Sequence, residues 1–137
     1  MINNESIFWS TKYLKQTSIA LGSWNGTCRS LKFGKLPIIH GDTTFRRGSG
    51  VNPAKTLYDR VKQSAIASHV HQVQSYTTKN QFDEEVFTCW TTGHLMHPNV
   101  EYCKHVDNYS QGFAILEKDV EGYYSVQNKR IYKNKIF

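Results

Sequence analysis

Apolar residues recur along this chain in short runs, and the period within each run changes from one segment to the next. In NPAKTLYDRVKQ, Ala54, Leu57, Tyr58 and Val61 fall three and four apart, which sets them on one stripe of a helix. Asn52 is a good N-cap and Pro53 suits the first helical position, so this is the clearest helix the sequence predicts. Elsewhere the runs alternate, or carry β-branched and aromatic residues. TCRSLKF and LPIIH, joined by Gly34 and Lys35, predict a hairpin whose second strand ends at His40. The short run SAIAS follows the helix, and QVQSYTT, EVFTCWTT, QGFAILEK and YYSVQNKRIY predict further strands, with turns at KNQFDE and DVEG. Across residues 1–26, Ile7, Phe8, Trp9, Tyr13, Leu14 and Ile19 are spaced as in a helix that Ser6 would cap, and GSWNG closes the segment as a turn. No internal repeat or low-complexity stretch interrupts residues 1–137, which read as one domain.

Two histidines flank a single valine in SHVHQ, where the run SAIAS ends. In an extended chain, side chains two apart point the same way, so His69 and His71 would reach into one space. His40 marks another strand-to-loop junction, and the strand–loop–helix–strand unit between the two would bring both junctions to one sheet edge. Neutral imidazole is the commonest protein metal ligand, yet strand-end histidines also serve as surface residues and hydrogen-bonded fillers. The pattern alone leaves both readings open.

Composition adds a partner class. Of 137 residues, 39% are hydrophobic and 20% charged, an ordinary globular balance. Seventeen Lys and Arg against eleven Asp and Glu leave +6, which suits phosphates, nucleic acid or an acidic protein surface. The local cluster Lys129, Arg130, Lys133 and Lys135 reads as a solvated charged end. Three cysteines without CxxC or dense spacing argue against a disulfide framework and for a reducing compartment. No apolar run approaches the ~20 residues that span a bilayer, and the N-terminal stretch lacks a basic region followed by an apolar core. The expectation is a cytoplasmic protein without a membrane partner.

The ordered motifs IIHGD at 38–42 and SHVH at 68–71 resemble the second half of the calcineurin-like metallophosphoesterases, a family of phosphoprotein phosphatases, cyclic-nucleotide phosphodiesterases and DNA-repair nucleases. The first resembles the family's strand-end His-Gly, and the second its Gly-His-x-His with Ser68 in place of glycine. The intervening helix, TTGHL at 91–95 and QGFAIL extend the resemblance from about residue 27 to about residue 128, most closely to phage-type members. It implies an α+β fold: the C-terminal half of the family's β-sandwich, with flanking helices. It implies also that His40 and His69 ligate one divalent metal ion and His71 a second, drawn from manganese, iron, nickel or zinc. Two such ions ~3.5 to 4 Å apart hold phosphate oxygens, stabilise developing charge and lower the pKa of a bridging water.

No aspartate and no histidine precedes His40, so the family's Asp-x-His, Gly-Asp-x-x-Asp and Gly-Asn-His motifs are absent. The resemblance therefore implies the C-terminal portion of a phosphoesterase acting on monoesters or diesters, nucleic acid among them, inactive until a separate N-terminal half supplies those motifs. A half-domain of this kind would pair with that segment or self-associate. A different reading is a non-catalytic basic module that holds nucleic acid or a protein on a degenerate phosphoesterase scaffold. Arg46 and Arg47, in the loop directly after His40, either clamp a phosphate by bidentate hydrogen bonds or are solvated loop charges. Asp42 reads as a turn residue. Cys89, His94, His97 and Cys103 could compose a zinc site, though their spacing matches no familiar zinc module and a buried cysteine is the plainer account.

Overall fold

A computed structural model describes residues 5–9, 30–95 and 109–137. In chain order the described elements are β1 (Glu5–Trp9), β2 (Ser30–Phe33), β3 (Leu36–Ile39), α1 (Pro53–Val61), β4 (Ala65–Ala67), β5 (Gln74–Lys79), β6 (Val86–Thr91), β7 (Gln111–Lys118), β8 (Tyr124–Tyr132) and β9 (Lys135–Ile136). They form two sheets, one ordered β1-β7-β8-β9 and the other β2-β3-β4-β6-β5. The architecture is mostly β with one described helix, which fits the α+β class in its broad sense.

The first sheet is antiparallel throughout. The second is mixed: β3, β4 and β6 run parallel, with Ile39 opposite Ala67 and Ala67 opposite Thr91, while β2 and β5 run antiparallel at its two edges. The parallel step from β3 to β4 needs a crossover, and α1 supplies it. Asn52 caps α1 by accepting a 3.0 Å hydrogen bond from the Lys55 amide, and Lys62 closes it in a left-handed conformation, its amide bonded to the Tyr58 carbonyl.

Burial explains why β4 reads as an unbroken apolar run. Ile66 joins Phe33, Leu36, Ile38, Ala114 and Leu116 in a core between the two sheets. Ala65 and Ala67 point the opposite way, into a second core with Leu57 of α1, Phe45, Val70 and Cys89. A strand covered on both faces cannot alternate apolar with polar, and two alanines on the helix side leave room for α1 to approach. Of the helical stripe, Ala54 and Leu57 are fully buried, whereas Tyr58 and Val61 are half-buried and pack at the margin of that core.

The N-terminal expectation needs correction over five residues. Glu5–Trp9, inside the stretch spaced as a helix, is strand β1, its backbone paired with β7 in a register that sets Ile7 opposite Leu116 and Trp9 opposite Ala114. The free edge of β7 offers a ladder of hydrogen bonds, and such a tertiary partner outweighs a weak helical spacing. The remainder of residues 1–26 lies outside the described residues.

The two sheets are also tied together at their turns. The Lys35 amide donates a 3.0 Å hydrogen bond to the Gly122 carbonyl, and the Lys35 ammonium lies 3.6 Å from the centre of the Tyr123 ring. Asp119 orders the β7–β8 turn by accepting from the amides of Glu121 and Tyr123 at 3.0 and 2.8 Å.

Candidate metal centre

Parallel strands end together, and the chemistry-bearing residues sit where β3, β4 and β6 do. His40 follows Ile39 at the end of β3, Ser68 and His69 follow Ala67 at the end of β4, and His94 lies three residues beyond Thr91 of β6. The Thr92 amide bonds the Ala67 carbonyl at 3.0 Å, which keeps the segment after β6 beside the segment after β4. Carboxyl ends of adjacent parallel strands are a recurrent position for ligand sites, because their loops diverge there and leave a crevice.

His40 and His69 meet directly. The His69 Nδ1 atom lies 3.4 Å from the His40 Nε2 atom, with the ring planes 75° apart. Two imidazole nitrogens each ~2.0–2.1 Å from one ion, and subtending a tetrahedral angle, would stand about 3.4 Å apart. The pair therefore fits the span of one cation, and it equally fits an N–H···N hydrogen bond in which one ring carries the proton. His69 is exposed and His40 half-buried, so the pair opens to solvent.

His71 makes its ring contacts elsewhere, and here the extended-chain expectation fails. The strand stops at Ala67, and both His69 and His71 adopt left-handed backbone, with φ of 64° and 56°. The Val70 amide turns back to the Ser68 carbonyl at 2.7 Å, and the Val70 side chain enters the helix-side core. Burying that valine bends the chain, so side chains two apart no longer follow strand geometry. The His71 ring lies 4.7 Å from the Tyr109 ring centre and 5.6 Å from that of His94, which is itself 5% exposed. Backbone bonds from the Ser110 amide to the His71 carbonyl (2.7 Å) and from the His94 amide to the Ser110 carbonyl (3.1 Å) fix this second group. Among the described residues, no three His, Cys, Asp or Glu side chains converge as a metal-holding group.

The backbone around the first pair is closely fitted. Gly41 has φ of 101°, and a Cβ there would come within 2.9 Å of the Phe45 ring and 3.3 Å of the His69 Cβ. Ser68 is not in the left-handed region, so the turn is made at His69 and needs no glycine at 68. The buried Ser68 hydroxyl faces the His40 carbonyl at a long 3.4 Å.

Arg46 and Arg47 lie on the exposed loop after His40, beside Thr43, Thr44 and Arg60 of α1. Cys89 faces α1, donates to the Gln63 carbonyl at 3.2 Å, and burial pushes its thiol up to about 11. A thiol held protonated in an apolar core is poorly placed as a zinc ligand, and His97 and Cys103, its possible partners, lie outside the described residues. Sequence reasoning passed over His94 and Tyr109 as companions of His71, and Arg60 as a companion of the loop arginines. For His94 a signal existed: in EVFTCWTTGH a third strand-like run has a histidine just beyond it. Tyr109 carried none. No family model, no curated protein and no solved structure matches this chain.

Proposed function

We propose that this chain supplies the C-terminal portion of a metal-dependent phosphoesterase, with His40 and His69 holding one divalent cation and His71 contributing to an adjacent second position. The observation that carries this reading is the 3.4 Å separation of the His40 and His69 ring nitrogens at the carboxyl ends of neighbouring parallel strands. The order His-Gly, helix, Ser-His-x-His along the sequence points the same way.

Divalent ions bound here would polarise phosphoryl oxygens and activate water. The chain's own contribution is to aim the imidazoles. Gly41, with no Cβ, lets the Phe45 ring and the His69 Cβ come close to the backbone where it leaves β3, and the His69 ring, set on a left-handed turn, meets that of His40. His71 is steadied by Tyr109 and His94. Three neutral imidazoles cannot neutralise two dications, so the reading requires carboxylates from a segment carrying Asp-x-His and Gly-Asp-x-x-Asp. Calorimetric titration with zinc tests the first position. Weak binding that falls at least about tenfold in either His40→Gln or His69→Gln is expected for two imidazoles sharing an ion. Undiminished binding by the double variant would contradict it.

A further inference from the structure

The loop between β3 and α1 carries a second feature that the histidines do not use. An open cleft of about 740 Å³ is lined by Thr43, Thr44, Arg46, Arg47 and Arg60, three guanidinium groups and two hydroxyls without a carboxylate. We propose that this cleft is a binding site for the phosphate groups of a nucleic-acid strand.

The loop that presents it is held in place. The buried Phe45 side chain anchors it in the helix-side core, and its backbone turns on bonds from the Phe45 amide to the Gly41 carbonyl and from the Gly48 amide to the Phe45 carbonyl, both 2.8 Å. Two side chains of α1 clasp its far end: the Thr56 hydroxyl donates to the Ser49 carbonyl at 2.8 Å, and Arg60 donates to the Gly48 carbonyl at 3.2 Å. Arg46 and Arg47 thus project from a fixed backbone, which lowers the entropy lost when a ligand is clamped.

Charge accounting leaves these arginines available. Asp59, the carboxylate next to Arg60 in sequence, is engaged by Lys55 at 2.7 Å and approached by Lys62 at 3.9 Å. Among the described residues, none of the three arginines is paired with a carboxylate. Guanidinium forks match the tetrahedral oxygens of phosphate, hydroxyls add neutral donors, and a net charge of +6 attracts a polyanion from a distance. The cleft opens to solvent and its three arginines are exposed, so the backbone phosphates of a strand can reach them.

This site stands apart from the metal reading, and its test excludes metal. Fluorescence anisotropy of a labelled single strand of about 12 nucleotides is followed with the full chain in excess chelator, from about 50 to about 200 mM salt. The triple variant Arg46→Gln, Arg47→Gln, Arg60→Gln should lose at least about tenfold in affinity, and the log–log salt slope should fall by about 2 as three phosphate contacts disappear. A control of equal charge change, Lys79→Gln, Lys129→Gln, Lys135→Gln, should lose less than about threefold. Because Arg60→Gln removes a clasp, the double variant Arg46→Gln, Arg47→Gln keeps the loop intact and should still lower the slope by more than about 1. Equal losses in arginine and lysine variants, no binding by the unaltered chain, or displacement by polyglutamate as effective as by unlabelled strand would each overturn the assignment.

Discussion

The His69 Nδ1 atom stands 3.4 Å from the His40 Nε2 atom although 29 positions separate them in sequence. That closeness is a product of topology. β3 and β4 are parallel neighbours in register at Ile39 and Ala67, so residues just past their ends meet, and α1 takes up the chain between them. Gly41 then sets how tightly the chain leaves. Replacing it with alanine adds a Cβ 2.9 Å from the Phe45 ring at a backbone φ of 101°. Gly41→Ala should lower stability by roughly 1–3 kcal/mol, read by urea unfolding, and should weaken zinc binding by disturbing His69. Unchanged stability would show that the turn is not strained.

Leu57 is the fully buried centre of the α1 face, between Ala65, Ala67 and Cys89. Leu57→Ala should cost about 2–5 kcal/mol, and Val61→Ala, at the half-buried margin, distinctly less. Comparable losses at the two positions would contradict the packing described for α1.

Cys89 offers a pH-dependent check. Burial raises its thiol from an ordinary 9.0 to about 11, so the folded state holds a proton that the unfolded chain releases sooner. A raised folded pKa gives stability that is complete below about pH 9 and lost as pH climbs towards 11. In a Cys28→Ser, Cys103→Ser background, stability should decline over that window, and Cys89→Ala should flatten the decline. The native thiol should also resist a thiol-specific reagent at pH 8 until denaturant is added. Rapid native-state modification would place Cys89 outside the core.

The fold was legible where one periodicity dominated. Asn52–Val61 shows its cap and stripe, and the Gly34–Lys35 turn shows its hairpin, because the determinants are local. The parallel pairing of β4 with β6 could not be read, since strand order depends on which faces bury each other across the two cores. β1 was hidden for the same reason: Ile7 and Trp9 fit a helix until β7 offers an edge. At the site, His40 and His69 were legible as strand-end neighbours. The turn that diverts His71 towards Tyr109 was not, because it follows from burying Val70 rather than from any pattern at the histidines.

Turnover of a chromogenic phosphodiester in the presence of manganese is the test of the proposed phosphoesterase half-site. The purified chain is measured alone and after co-expression with a segment bearing Asp-x-His, Gly-Asp-x-x-Asp and Gly-Asn-His. The chain alone should show no turnover above background, because three imidazoles lack the carboxylates that hold two ions together. The co-expressed pair should turn over substrate, stop with chelator, and lose activity in His69→Ala and His71→Ala. Chelator-sensitive turnover by the chain alone, or none from either preparation, would contradict it.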